Sequence, residues 1–324
     1  MKVAVSVQAE VSSLPRACVL SVAEDVQASP APALSHLGRR LADYVELTKP
    51  RVAVLVLFTV AAGVLLGAGP ALAPLVLFHA VLGTALVAAG ASALNQWLER
   101  DTDPRMRRTR KRPLPSGRLP AREALLFGLL LAGAGLAYLL LTLPEPWAAL
   151  VALATLLGYV ALYTPLKRRT VHNTLVGAIP GALPPVIGWC AVRGAPTWEA
   201  WPLFLVLFVW QVPHFLAIAW IYREEYARAR LCMLPVTDRT GKKTAGVMLA
   251  FCLLLLVAGL TPVACGSASW LYLTGALVLG TGFLLTTVGF ARHRGEREAR
   301  LVLRASLVYL PALLALLLID RFWL

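Results

Sequence analysis

Asn95-Gln-Trp-Leu-Glu-Arg-Asp-Thr-Asp-Pro-Arg-Met-Arg-Arg-Thr-Arg-Lys-Arg-Pro-Leu-Pro-Ser-Gly117 is the stretch on which the reading of this chain turns. A long apolar run leads into it, three acids follow (Glu99, Asp101 and Asp103), and a dense basic block closes it. Asn95, Glu99 and Asp103 stand four apart, so on a helix they line one face, drifting by about 40° per step. Asp101 points elsewhere. Oxygen ligands on one face at the end of a membrane helix suit Mg²⁺, which binds through a few carboxylates together with substrate phosphates. A polar helix end in headgroup solvent, with cations that fix topology, accounts for the same residues taken alone.

Outward from this stretch the chain is apolar. Of its 324 residues 58% are hydrophobic and 15% charged, and its mean hydropathy is +0.70. An ordinary soluble domain is excluded. Nine runs are near the ~20 residues that cross a bilayer, at roughly 52–69, 72–97, 123–143, 147–165, 172–192, 200–222, 245–264, 269–290 and 301–319. The fold class is an all-α polytopic membrane protein with nine spans. Residues 1–44, with mixed character and an Ala-Ser-Pro-Ala-Pro-Ala run, read as a disordered cytoplasmic tail, and 45–324 as the intramembrane domain. No unbroken apolar core follows a basic start, so a cleaved signal peptide is not expected.

A net charge of +14 would fit a nucleic-acid binder in number, but position decides otherwise. All but Arg193 and Arg321 of the 31 lysines and arginines fall in the tail and in alternate loops. The positive-inside rule then sets the tail and the long loops in the cytoplasm and the C-terminus outside. No nucleic-acid partner is expected. The five cysteines form no CxxC pair, so neither a disulfide framework nor a thiolate metal site is read.

Polar chemistry is confined to the cytoplasmic face. Acids cluster at the ends of the second and sixth spans, and the latter closes on Tyr222-Arg-Glu-Glu-Tyr226. Two similar four-helix halves plus one helix account for that spacing. The sixth span carries Trp210-Gln-Val-Pro-His-Phe215. On a continuous helix His214 and Glu225 share a face about 16 Å apart, and Pro213 frees the carbonyl of Val209 for a kink. His214 is read as lining a cavity, with a helix-to-helix hydrogen bond as the alternative. In the fifth span Gly177 and Gly181 follow Asn173 at four-residue spacing, permitting close approach of another helix or of a flat ligand. Arg108, Thr109, Arg112, Lys167 and Arg168 could together neutralise a diphosphate.

These pieces resemble the intramembrane aromatic prenyltransferase superfamily, and within it the protohaem IX farnesyltransferase (haem O synthase) family. The resemblance rests on Glu46-Leu-Thr-Lys-Pro-Arg51, Asn95-x₃-Glu99-x₃-Asp103, Arg108-Thr-x₂-Arg-Pro-Leu114 and Tyr163-Thr-x-Leu-Lys-Arg168. Asn173-x₃-Gly-x₃-Gly-Ala-x-Pro-Pro185, Trp210-Gln-x-Pro-His-Phe215 and Met233-Leu-Pro-Val236 complete it. Together they cover about residues 43 to 320 in order. The resemblance implies nine helices around a central cavity, Mg²⁺ as cofactor, farnesyl diphosphate as donor and haem B as acceptor. It also implies haem O as product, a bacterial inner membrane as location, and a haem A synthase or terminal oxidase assembly as partner. Carried onto this sequence, Asn95, Glu99 and Asp103 hold the metal with Glu225 as a further catalytic acid. Arg108, Thr109, Arg112, Lys167, Arg168, Asn173 and His214 bind substrate. Two departures stand out: Glu99 takes a position usually held by Asp, and Glu224-Glu225 replaces the Asp common before the tyrosine, leaving the second acidic site incomplete.

Two other functions remain open on the residues alone: a prenyltransferase for a quinone or chlorophyll precursor, and a secondary transporter built from repeats. A transporter places ionisable groups near the bilayer midplane, whereas these acids lie at the cytoplasmic helix ends.

Overall fold

The computed structural model describes residues 33–69 and 72–323. The chain is helical, with no strand among the described residues. In order the main helices are α1 (Ala33–Thr48), α2 (Pro50–Ala68), α3 (Pro74–Glu99), α4 (Ala121–Thr142), α5 (Trp147–Leu166) and α6 (Asn173–Arg193). They are followed by α7 (Trp201–Ile221), α8 (Arg223–Arg228), α9 (Lys242–Ala264), α10 (Trp270–His293) and α11 (Glu296–Trp323). Nine of these described helices, α2 to α7 and α9 to α11, are long and apolar enough to cross a bilayer. The segment expected to be disordered to residue 44 ends in α1: leucines at 34, 37 and 41 recur at helical spacing and support a helix from Ala33. The rest of that expectation, residues 1–32, lies outside the described residues.

Two apolar clusters organise the domain. One is built from α2 to α6, with Val60, Val87, Leu139 and Ile187 at its centre. The other is built chiefly from α7 and α9 to α11, with Leu216, Met248, Phe283 and Tyr309. These clusters divide the spans five and four, not into the expected two four-helix halves plus one helix, because α6 packs on α2. α2 and α6 are pressed together by missing side chains. A Cβ on Gly63 would strike the carbonyl of Pro185, and one on Gly188 would strike the carbonyl of Val60. Backbone approach this close needs glycine on both sides, the close-packing device of membrane helix pairs.

Several helix ends are tied by side chains, not solvent. Asp320 on α11 accepts the backbone N–H of Ser269 at 2.7 Å and of Tyr272 at 3.3 Å, closing the start of α10. Asp238 does the same for α9, accepting from Gly241 N at 3.1 Å and Thr244 N at 2.8 Å. In the loop before α4, Arg118 pairs with Asp43 and with Glu46 Oε2 at 2.7 Å. Gln96 Nε2 donates to the carbonyl of Leu47 at 3.0 Å. These bonds dock the end of α1 on α3, and so fix where the next residue, Lys49, points.

Candidate functional site

The site grows from the end of α3. That helix stops at Glu99 because Thr102 caps it, donating its N–H and its hydroxyl to the Glu99 carbonyl, both at 2.9 Å. Asp103 then opens a separate 3₁₀ turn, Asp103–Arg105. The single continuous face expected for Asn95, Glu99 and Asp103 is therefore broken after its second member. Pro104 sits within that turn and, lacking an N–H, cannot continue the α-helical ladder. Thr109 rebuilds the alignment: its hydroxyl donates to the Asp103 carbonyl at 2.8 Å and turns the carboxylate inward. Asp101 does leave the group, its side chain 67% exposed and 3.9 Å from Arg100.

Each of the three inward residues holds a cation. Asn95 Oδ1 accepts from Lys49 Nζ at 2.8 Å, and its amide donates to Thr164 Oγ1 at 3.1 Å. Glu99 Oε1 accepts from Lys167 Nζ at 2.7 Å. Asp103 Oδ2 accepts from Arg112 Nη1 at 2.8 Å. Lys49 is the functional candidate that the sequence motif contained without marking. It sits in the left-handed region at φ 50°, between α1 and α2. A non-glycine residue there costs about 1–2 kcal/mol, and such strain gathers at ligand sites. Burial, reinforced by Arg112, pulls the Lys49 ammonium down to about 7. Burial alone would lower Lys167 too, but the Glu99 carboxylate wins and holds it above the ordinary range. Burial lifts the Asp103 carboxyl above its usual value despite Arg112.

This arrangement fits a hard divalent cation. The donors are two carboxylates and an amide oxygen, the oxygen-only set that Mg²⁺ takes beside substrate phosphates. Asp103 is fully buried, and its Oδ1 has no hydrogen-bond partner, an unmet acceptor that a buried site does not keep without cause. Glu225 does not join them: no group of three His, Cys, Asp or Glu side chains with metal-holding geometry occurs among the described residues. Its carboxylate accepts the Arg108 backbone N–H at 3.3 Å, while the Arg108 guanidinium lies 5.0 Å over Tyr222. α7 ends at Ile221, and Tyr222 breaks the path to α8. His214 and Glu225 therefore do not share one continuous helix face.

Above the cations lies a cavity of about 340 Å³, lined mainly by apolar side chains from α2, α3, α5, α6 and α7, with Leu310 from α11. Lys167 reaches it from the polar rim; Gln211 and His214 line it as well. A π-helical stretch of α5, Gly158–Tyr163, brings Tyr159 and Tyr163 to its wall. Single π turns of this kind recur at functional sites, and no sequence periodicity announces them. The spaced glycines of α6 admit neighbouring side chains: Gly177 abuts the Tyr163 ring and Gly181 the Gln211 amide. Both glycines also line the cavity, so they serve helix approach and leave a wall without side chains there.

The remaining candidates are arranged as follows. Arg112 is in the cluster. Arg168 borders a smaller cavity of about 200 Å³ with Glu99, Thr102 and Arg169. Asn173 stands outside the main cavity: its amide donates to the carbonyls of Thr170 at 2.6 Å and Cys232 at 2.7 Å, which pins the loop before α6. Thr109 has its one proton on Asp103, so it orients the acid. His214 Nδ1 lies 2.7 Å from Ser306 Oγ.

Comparison with known proteins agrees with this architecture. Residues 56–310 match the model of the UbiA prenyltransferase family. A protein of Solibacter usitatus named protoheme IX farnesyltransferase is 47% identical over 288 residues, covering 86% of this chain and 98% of that protein. A namesake from Opitutus terrae is 44% identical, covering 88% of this chain and 96% of its own length. Among solved structures, a digeranylgeranylglyceryl phosphate synthase superposes with a TM-score of 0.74 at 17% identity, covering 88% of this chain and all of its own. A UbiA homologue from Archaeoglobus fulgidus bound to GPP and Mg²⁺ superposes with a TM-score of 0.58 at 16% identity, covering 85% of this chain and 99% of its own. Helix order, cavity and sequence thus lead to one assignment: the chain belongs to the UbiA prenyltransferase family.

Proposed function

We propose that this protein transfers the farnesyl group of farnesyl diphosphate to a vinyl group of haem B, with addition of water, giving haem O and diphosphate. One observation carries the reading. A mainly apolar cavity has a carboxylate–cation cluster at its rim and an imidazole in its wall, which supports a diphosphate at the rim, an apolar substrate within and a metal for the imidazole. The names of the 41–47% identical relatives support the choice of substrates. A quinone precursor as acceptor would offer the His214 imidazole no metal to meet.

Asn95, Glu99 and Asp103 would hold Mg²⁺, which supplies charge to offset the diphosphate. Lys49, Lys167 and Arg112, each on one of those three residues, are placed to turn to the phosphate oxygens when the acids engage the metal; charge-assisted bonds of this kind are the strong ones. Cleavage of the C1–O bond sends the electron pair to the diphosphate. The terminal vinyl carbon forms the new bond to farnesyl C1, and the adjacent carbon becomes cationic beside the porphyrin ring. Water adds its oxygen there and releases one proton. Leu55, Val56, Val87 and Leu156 wall the cavity and keep water from C1 before the carbon–carbon bond forms. His214 is the residue proposed to meet the haem iron, since a hydrocarbon tail gains nothing from an imidazole. The cation distribution supports a cluster facing the cytoplasm, the bacterial relatives support an inner-membrane site, and a haem A synthase or terminal oxidase assembly is the consumer such a product implies.

The test is mass analysis of haem extracted from membranes with and without expression of the chain. A haem species heavier than haem B by one farnesyl group plus one hydroxyl group is expected. Unmodified haem B together with a prenylated quinone would replace this reading with the other acceptor.

A further inference from the structure

Ser306 on α11 is fully buried and belongs to none of the motifs that mark the site. Its hydroxyl donates to the Leu303 carbonyl at 2.7 Å, and the same oxygen lies 2.7 Å from His214 Nδ1. A serine hydroxyl has one proton. With that proton on Leu303, the bond to the imidazole runs from Nδ1–H into Oγ. The reverse arrangement, Oγ–H into Nδ1, loses the bond to Leu303 and leaves an Nε2–H donor with no partner among the described residues. It makes one bond where the first makes two, a difference of about 1 kcal/mol before the stranded donor is counted. His214 therefore carries its proton on Nδ1. Its Nε2 bears a lone pair with no partner among the described residues, on a side chain that lines the cavity.

The ring plane is fixed from the same residue. Trp210 Nε1 donates to the Ser306 backbone carbonyl at 2.8 Å, and its indole stacks on the imidazole with centroids 4.8 Å apart and planes 23° from parallel. One residue of α11 thus sets both the proton position of His214 and, through Trp210, the tilt of its ring. An imidazole that ligates a metal is typically held this way, by an acceptor on its other nitrogen.

We infer that Ser306 is a positioning residue that locks His214 in its Nδ1–H tautomer and presents the Nε2 lone pair to the cavity as a ligand for haem iron. This rests on the proposed haem site. The experiment is titration of the full-length protein, purified in detergent, with ferric haem, read by the Soret band and by the electron paramagnetic resonance of the iron. His214→Ala should remove the imidazole-ligated signature. Ser306→Ala should weaken haem binding about tenfold and convert part of the signal, and Ser306→Thr should restore most of both. If His214→Ala abolishes the signature while Ser306→Ala matches the wild type, the inference about Ser306 falls and the haem reading stands. A wild-type spectrum in His214→Ala would overturn iron ligation itself, and the inference with it. Should Ser306→Ala not fold, Ser306→Cys carries the test, because a thiol is the poorer acceptor; an unchanged spectrum there would equally overturn the inference.

Discussion

Removal of one negative charge from Asp103 separates the site from its scaffold. Asp103→Asn keeps the shape of a fully buried side chain and can still accept from Arg112, whose side chain is 21% exposed. The guanidinium still donates, now to an amide oxygen, and burial already disfavours the Asp103 charge in the folded state, so the change in stability is small, within about 1 kcal/mol. Catalysis loses more. A unit charge about 4 Å from a divalent cation or its phosphate, at an effective dielectric near 20, is about 4 kcal/mol per unit of charge faced, or about a thousandfold in rate. Glu99 and Asn95 share the task, so a fall of about 10²- to 10³-fold is expected, with protein level and monodispersity in detergent retained. Asp101→Asn is the control: its exposed carboxylate meets only Arg100 at 3.9 Å, and its turnover should stay within about twofold of wild type. Turnover is read as prenylated haem formed per amount of folded protein in membranes. If Asp101→Asn were the more damaging change, or Asp103→Asn kept a third of its activity, the assignment of the buried carboxylate would be wrong.

Three further outcomes are expected. Gly188→Ala places a Cβ on the Val60 carbonyl and 2.9 Å from the Val64 nitrogen, so α2 and α6 must spread; it should cost about 1–3 kcal/mol or more, while Gly246→Ala, with open space around it, should be neutral in thermal melts. For Asp238, burial alone would raise the carboxyl, but the bonds from Thr244, Thr240 and Gly241 hold it below its ordinary value. Its contribution to stability is thus complete above the unfolded pKa near 3.9 and is lost as pH falls through the folded value. Asp238→Asn should cost about 1–2 kcal/mol at pH 7, and the gap to wild type should close below about pH 4; a pH-independent gap would remove the charge from the account. Reporter fusions should place the loop near Arg110 in the cytoplasm and the C-terminus on the other side; a cytoplasmic C-terminus would overturn the topology drawn from the cations.

The number of spans and the type of fold were set by composition along the chain. A bilayer core demands about 20 apolar residues per crossing and internal satisfaction of every backbone polar group, so hydropathy alone counts helices. The acids and cations of the site were legible for the same reason: in so apolar a chain, charged residues at helix ends are conspicuous. Which cation meets which acid was not. Lys49 reaches Asn95 across 46 residues and Lys167 reaches Glu99 across 68, pairings that exist only once α1, α3 and α5 have packed. The stop at Glu99, capped by Thr102, moved Asp103 off the helix whose face it was expected to share, and Thr109 returned it. Asn173, read as a substrate contact, instead binds backbone carbonyls because the Cys232 loop folds over it. Ser306 is one serine among many in sequence. It acquires a role because α11 lies against α7 and brings its hydroxyl, 92 residues away in the chain, to the imidazole of His214. Local sequence decides whether a segment can be a membrane helix; a hydrogen bond of fixed length and direction between two helices is decided by their packing.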